Sequence, residues 1–544
     1  MTSPSGVRRG AALMASGTAV SRVLGLLRGI VLVAAIGATG QAADAFDVAN
    51  KLPNVLYMLL AGGVLNAILV PQVVRAYKRE AGQEYVDRLL TLGFVMLAGV
   101  SLVLTVAAPL LVHLYAADVP PSQATLATTF AYWCIPQLFF YGVYALLGQV
   151  LNARGSFGPY MWAPVVNNVV AIAGFGVFVV VFGSAQQTDV ATAATWTSGQ
   201  VALLAGASTA GVVAQALVLV PALRRAGVGY RPRWGLRGSG LGRAGQVATW
   251  TFVGLVVGQL GFIVVSRAAA AAPHAADGGV VAGNAAYTAA FLVFMLPHSL
   301  VTVSLATALF TRLSGQAHDE DADGVRATFS YGVRVVGLFT IAAAALLFVL
   351  SRPVTGIVLM TADRESVEVV ALVVQAMVVG LPAFGAWSMA QRVFYAYEDA
   401  RGMVPIQVAM AVVVAGGTLL AQAFLPPRSW VVGAALAMSV SYVVGAVAAA
   451  WLLRRRIGGV DGPRILRLHV RATLAVLPAV AVAATATRVL ALALPDGLLR
   501  AVVTCVVAGG LGGAVYVGAL RLLRVEELDG MLRPVLARLR GARR

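Results

Sequence analysis

Long apolar stretches alternate with short polar ones along the whole chain. Runs of about 20 or more mostly apolar residues, bounded by charge, glycine or proline, fall near 11–37, 46–74, 89–117, 122–151, 159–183, 198–223 and 244–272. Seven more fall near 281–311, 327–351, 366–397, 403–425, 429–453, 470–493 and 498–520. At about 1.5 Å of rise per residue, each is long enough to cross a hydrocarbon layer about 30 Å thick as a helix. No stretch alternates apolar and polar positions as barrel strands do. The pattern predicts an all-α polytopic membrane protein with fourteen transmembrane helices.

Composition agrees. Of the 544 residues 59% are hydrophobic and 11% charged, which excludes a soluble multidomain protein. Forty Lys and Arg against 22 Asp and Glu give a net charge of +18. The basic residues concentrate in alternate connections: Lys78, Arg79 and Arg88; Arg154; Arg224 to Arg243; Arg312 and Arg326; Arg401; Arg454, Arg455, Arg456, Arg464 and Arg467; and the tail from Arg521 to Arg544. The loops near 37–45 and 184–197 on the opposite side have none. This asymmetry places both termini in the cytoplasm and accounts for the charge without nucleic acid. The opening MTSPSGVRRG imitates a signal peptide, but the apolar run behind it is too long and is interrupted by Arg22 and Arg28, so a retained first span is expected.

Prolines mark an internal repeat. Leu52-Pro53 recurs as Leu296-Pro297, Pro136 as Pro382 and Pro159 as Pro405, at offsets of about 245 residues and at equivalent points of spans 2 and 8, 4 and 10, and 5 and 11. Six spans separate the copies, an even number, so the copies run parallel. The expected body is two six-helix lobes, 1–225 and 226–455, around a central cavity. Two further helices over 456–523 and a basic cytoplasmic tail over 524–544 complete it.

All acidic residues fall in loops or close to span ends, so no proton relay of buried carboxylates is visible. The cluster His318-Asp319-Glu320-Asp321-Asp323 reads as a solvated loop. Cys134 and Cys505 have no CxxC spacing, the five histidines are scattered, and no metal or cofactor is indicated. His298, directly after Pro297, could face a cavity, but a packed or interfacial histidine is the favoured reading.

The cations inside the first spans change the picture. Arg22 sits near the middle of span 1, about 16 Å from residue 11 by helical rise. Arginine there costs roughly 2.5 to 3.5 kcal/mol on insertion scales. Arg22, Gly25 and Gly29 form one stripe, on which the glycines would admit a neighbouring helix; Ser21, Leu24 and Arg28 form the next. With Lys51 they make a cationic lining with no carboxylate to neutralise it. Such arginines either cap backbone carbonyls in helix packing or hold an anionic ligand. The second use suits guanidinium, which binds phosphate through paired hydrogen bonds.

The same residues carry a resemblance. SRVLGLLRGIVLVAAIGATGQAADAFDVANKLPNVLYMLLAGGVLNAILVPQVVRAY, from residue 21, closely resembles the start of the MurJ/MviN lipid II flippases. LNARGSFGPYMWAPVVNN at 151–168 and QRVFYAYEDARGMVP at 391–405 resemble that family's junctions between spans 4 and 5 and between spans 10 and 11. PHSLVTVSLATALFTRLS at 297–314 looks most like actinobacterial members. The resemblance implies the fold of the multidrug/oligosaccharidyl-lipid/polysaccharide exporter superfamily, with helices 13 and 14 forming a groove for an undecaprenyl tail. It implies translocation of lipid-linked peptidoglycan precursor to the outer leaflet of the cell membrane by alternating access. It also implies substrate contacts at Arg22, Arg28, Lys51, Asn54, Ser21 and Gly25, and structural or gating roles at Asp44, Pro53, Pro297 and Asp399. Phe46 also matches the motif.

This chain departs from proteobacterial members at Tyr57 and Met58, where they have arginines, at Gly62, where they have an acid, and at Phe291-Leu292, where they have an arginine. The family's sodium ligands have no clear counterpart, so coupling rests between the membrane potential and a monovalent cation. Expected partners are the lipid-linked precursor, the bilayer, and cell-wall synthesis or division proteins. The competing transport reading is export of another polyprenyl-linked saccharide or a small molecule. A multidrug exporter of cations should show a buried acid, and an enzyme acting on polyprenyl phosphate would need a carboxylate or histidine cluster in a sizeable loop. Neither is present in the sequence.

Overall fold

The computed structural model describes residues 4–60, 83–154, 156–187, 192–234 and 243–528. The second half of predicted span 2, with Gly62, Lys78 and Arg79, lies outside the described residues, as do Arg237 and the tail from residue 529. The described residues are overwhelmingly helical and contain no strand.

The chain divides into two compact units. Unit 1 comprises Met1–Gln259 and Ala269–Ala285, and unit 2 comprises Leu260–Ala268 and Ala286–Arg544. Unit 1 contains α1 (Pro4–Ile36), α2 (Gln41–Leu60), α3 (Gln83–Val106), α4 (Ala108–Tyr115), α5 (Pro121–Cys134), α6 (Gln137–Ala153), α7 (Phe157–Phe182), α8 (Ser198–Leu217) and α9 (Leu219–Arg225). Helix α10 (Arg243–Ala275) contributes to both units. Then follow α11 (Asn284–Pro297), α12 (Val303–His318), α13 (Ala322–Val349), α14 (Ser351–Val358), α15 (Arg364–Val378) and α16 (Leu381–Ala396). The last four are α17 (Ala400–Phe424), α18 (Trp430–Arg456), α19 (Gly462–Ala493) and α20 (Leu498–Leu522).

Among the described residues, 11 helical segments are long and apolar enough to cross a membrane, or 12 if the bent pair α15/α16 is one span. Neither α1 nor α2 enters that set.

Of the prolines the repeat paired, Pro136, Pro297 and Pro382 stand at helix breaks, whereas Pro53, Pro159 and Pro405 lie within continuous helices. Pro136 stands between α5 and α6, and α15 bends by 50° into α16, whose first turn contains Pro382. A proline lacks the amide proton for the i−4 bond and its ring crowds the preceding turn. At the second break, Gly380 is also required for packing: a Cβ there would lie 2.7 Å from Ser439 Cα. Pro297 ends α11 and leads into a π-helical turn, His298–Thr302. His298 is 4% exposed and its ring centroid lies 4.2 Å from that of Phe384, the packed histidine that was expected.

In unit 1, α7 packs against both α1 and α8. In unit 2, α19 and α20 form an antiparallel hairpin against α13. Ala472, Ala475 and Ala479 face that core with Leu338 and Tyr516. The Tyr516 hydroxyl donates to the carbonyl of Leu338 at 2.8 Å.

Candidate anion site in unit 1

Helix α2 has two faces. Ala45, Phe46, Val48, Ala49, Leu52, Pro53 and Val55 are buried. Asp47, Asn50, Lys51 and Asn54 recur at the i, i+3, i+4, i+7 spacing of a single helical stripe, and all four are at least partly accessible. The stripe continues to Tyr57 and Met58.

Arg28 approaches that face from α1. Its Nη2 donates to Ser208 Oγ on α8 at 3.0 Å, and Ser208 Oγ donates to Asn50 Oδ1 on α2 at 2.8 Å. The guanidinium carbon lies 5.8 Å from the ring centroid of Phe175 on α7, within range of a cation–π interaction. Phe175 belongs to an aromatic group with Phe46 and Phe130, at centroid distances from Phe46 of 6.5 and 5.3 Å. Helices α7 and α8 thus hold Arg28 directly and α2 supports it through Ser208, all by neutral groups that leave its charge uncancelled. Ser208 itself is fully buried, so its hydroxyl is fixed by its two partners.

Ser21 and Gly25 meet α7 two turns and one turn before Arg28, respectively. Asn168 Nδ2 donates to the Ser21 carbonyl at 2.9 Å, and a Cβ on Gly25 would lie 3.8 Å from the same nitrogen. Next to it, Asn167 Nδ2 donates to Gln215 Oε1 on α8 at 2.8 Å. This pairing needs Gly211, where a Cβ would lie 2.5 Å from Asn167 Oδ1. Arg22 is exposed, and Asn54 is exposed on α2.

Three expectations are corrected. The chain does carry buried acids: Asp44 and Asp87, near the starts of α2 and α3, are each 2% exposed, because a helix end packed inside the protein is shielded from water as the span middle is. Lys51 does not lack a carboxylate: its Nζ lies 2.7 Å from Asp47 Oδ2, one helical turn earlier and within the same stripe. The i, i+4 spacing places the two side chains over one another, and the acid counted as lying near the span end is close enough to neutralise the lysine. Nor does the Gly25/Gly29 stripe admit a helix along its length. Gly25 is in ordinary contact, while a Cβ on Gly29 would have nothing within 4 Å. The close approach is instead at Gly17, where a Cβ would lie 2.9 Å from Trp162 Nε1.

Asp44, in the first turn of α2, is 2% exposed. Its Oδ1 accepts from the backbone N–H of Ala285 at 2.7 Å, at the N-terminus of α11. Gly283 makes room for it: a Cβ there would lie 1.9 Å from Asp44 Oδ2. The carboxylate satisfies an otherwise orphaned helix-terminal donor and meets the positive end of the helix dipole. In unit 2, Asp399 caps α17 by accepting from Gly402 N at 2.8 Å and pairs with Arg456. The sequence therefore located Arg28 but not its holders. Ser208, Asn50 and Asn168 are polar residues within apolar helices, and that was the signal available for them.

A helical body with membrane-length spans defines a multi-pass membrane protein, and within its unit 1 a cation is held by neutral side chains. Known proteins agree. The family described as lipid II flippase MurJ matches residues 32–501. A lipid II flippase MurJ from Burkholderia cenocepacia is 30% identical over 73% of this chain and 74% of its own length. A probable lipid II flippase MurJ from Haemophilus influenzae is 26% identical over 82% and 85%. Among solved structures, a lipid II flippase MurJ in an inward closed conformation matches with a TM-score of 0.69 at 16% identity, over 94% of this chain and all of that one. An inward-facing MATE family transporter of the MOP superfamily matches with a TM-score of 0.64 at 14% identity, over 81% and 96%. The structural likenesses show the fold. The chain belongs to the MurJ lipid II flippase family, whose members are transporters and not enzymes.

Proposed function

We propose that this protein moves lipid II, the undecaprenyl-pyrophosphate-linked peptidoglycan precursor, from the inner to the outer leaflet by alternating access. The observation that carries this reading is Arg28, held by Ser208 and Phe175 with no carboxylate among those contacts. A pyrophosphate brings the negative charge that this arrangement lacks, and two phosphates can take the paired donors of a guanidinium. Arg22 and Asn54, exposed on α1 and α2, are placed to meet the headgroup as it enters. The Lys51–Asp47 pair contributes hydrogen-bonding groups to the same stripe without adding net charge.

In this reading α1 and α2 are the first two spans and join the 12 others to make fourteen, in two lobes with both termini cytoplasmic. Asp44 then lies at the outer end of α2. Its bond to the start of α11 acts as a latch that is made in one state and broken in the other. An inside-negative potential favours outward movement of an anion by about 2.3 kcal/mol per charge per 100 mV, which supports a cycle driven by potential.

The test is translocation of labelled lipid II in proteoliposomes containing the full chain, with Arg28→Ala as the comparison. Transport by the unaltered protein and its loss in a normally folded Arg28→Ala protein are expected. Transport unaffected by Arg28→Ala would defeat the central-cation mechanism, and absence of transport by the unaltered protein would count against the function itself.

A further inference from the structure

A second arginine-rich feature lies in unit 2, built from other residues. Between α14, α15 and the α19–α20 hairpin is a cavity of about 650 Å³, within the roughly 300–1,000 Å³ range of sites that hold a small ligand. Arg352, Arg364, Arg488 and Arg500 line it, together with Glu368 and Asp496. Four cations less two carboxylates leave two positive charges. Arg352 pairs with Glu368. Asp496 is shared by Arg500 and by Arg364, the latter at 3.3 Å. Among the described residues no carboxylate pairs with Arg488.

The surroundings define what could supply the missing charge. These residues stand where membrane-length helices end: α13 finishes at Val349, α19 at Ala493, and α20 begins at Leu498. Such ends lie at headgroup depth. Leu359, Met360 and Leu498 add apolar wall to the same cavity. Beside the cavity, Leu492 and Leu499 are 92% and 71% exposed. A free inorganic anion would leave that apolar surface uncovered. A lipid bearing a phosphate covers it with acyl chain while its headgroup meets the guanidinium groups.

We infer that this cavity binds an anionic phospholipid of the bilayer, with the phosphodiester held by Arg488 and Arg364 and the chains lying over Leu492 and Leu499. The distribution of basic residues along the chain assigns this end of α19 and α20 to the outer face, so the lipid comes from the outer leaflet. The cavity suits a phosphoglycerol headgroup, a compact monoanion whose charge falls within the net positive charge of the site. The inference is independent of the flippase reading, because it concerns a separate site and a resident lipid.

The experiment is native mass spectrometry of the full-length protein in mild detergent, equilibrated with equimolar phosphatidylglycerol and phosphatidylcholine. Preferential retention of phosphatidylglycerol is expected, falling about fivefold for each arginine removed in Arg488→Gln and Arg364→Gln. Arg428→Gln, a charge removal in the α17–α18 connection outside the cavity, should leave retention unchanged. Both cavity arginines are exposed, so these substitutions preserve folding, which a melting curve checks. Equal retention of the two lipids, or undiminished retention by the double variant, would overturn the inference. So would displacement of phosphatidylglycerol by inorganic phosphate alone, which would identify a free-anion site, or by a polyprenyl pyrophosphate, which would identify a different lipid.

Discussion

The Arg28 cluster of unit 1 and the arginine rim of unit 2 use the same side chain under opposite conditions. Arg28 is half-buried, and its contacts are a serine hydroxyl and an aromatic ring. The rim arginines stand at helix ends, and three of the four pair with carboxylates. At the rim the paired side chains are largely exposed, so pairing adds little and each pair contributes about 0–1 kcal/mol. Within the bundle, a carboxylate would neutralise the guanidinium permanently, whereas hydroxyl and ring contacts orient it and leave its charge available. The difference teaches that the partners of an arginine, more than its presence, indicate whether a site has charge to offer a ligand.

The largest expected effect comes from removing that charge. Arg28→Ala should reduce lipid II translocation about 30-fold or more, the scale for truncating one member of a desolvated, hydrogen-bonded charge contact. Arg28→Lys should restore only part of it, because an ammonium keeps the charge but cannot donate to Ser208 and a phosphate from one planar fork. Full activity in the lysine protein would show that charge alone suffices and would remove the geometric half of the contrast with the rim.

Ser208→Ala tests the orienting contact while leaving the charge in place. A buried hydrogen bond to a charged group contributes about 1.5–3 kcal/mol, so translocation should fall by roughly one order of magnitude or more. The fall should appear in the maximal rate as well as the apparent affinity, since a mispositioned guanidinium still attracts the anion. A variant indistinguishable from the unaltered protein would mean that Phe175 and the helix backbone alone fix Arg28.

These two tests also separate what was readable in the sequence from what was not. An arginine in an apolar run is conspicuous because of its insertion cost, and Arg22 and Arg28 stood out for that reason. Ser208 and Asn50 did not, because serine and asparagine carry little such penalty and their pairing joins residues 158 positions apart. The Lys51–Asp47 pair was within reach of the helical spacing, but treating the acid as an interfacial residue hid it. The membrane spans were legible because apolar length is a local property. The separate closeness of Gly17 and openness of Gly29 depend on how another helix crosses α1, which the spacing of small residues does not determine.

Asp47→Asn gives a smaller effect and probes the intermediate case, a carboxylate pair that is neither buried nor at the rim. With side-chain exposures of 19% and 14% for Lys51 and Asp47, breaking the pair should lower stability by about 1–3 kcal/mol, above the surface range and below the cost of a fully buried break. Thermal unfolding in detergent checks it. The equivalent change at the rim, Asp496→Asn, should alter stability by less than about 1 kcal/mol. Equal losses at the two positions would remove the proposed difference in environment.

The smallest expected effect is at Gly29, one residue beyond Arg28. Because a Cβ there meets nothing within 4 Å, Gly29→Ala should raise helix stability by up to about 1 kcal/mol through lower backbone entropy in the unfolded chain. Translocation should stay within about twofold, since less than 0.5 kcal/mol separates states that differ by a methyl group in open space. Gly211→Ala supplies the contrast, because its Cβ would press on Asn167 at 2.5 Å and should destabilise by about 1–3 kcal/mol. If Gly29→Ala kept its melting temperature but lost most of its transport, the open space beside Arg28 would be space that the substrate fills. The charge of Arg28 and the volume next to it would then belong to a single binding site.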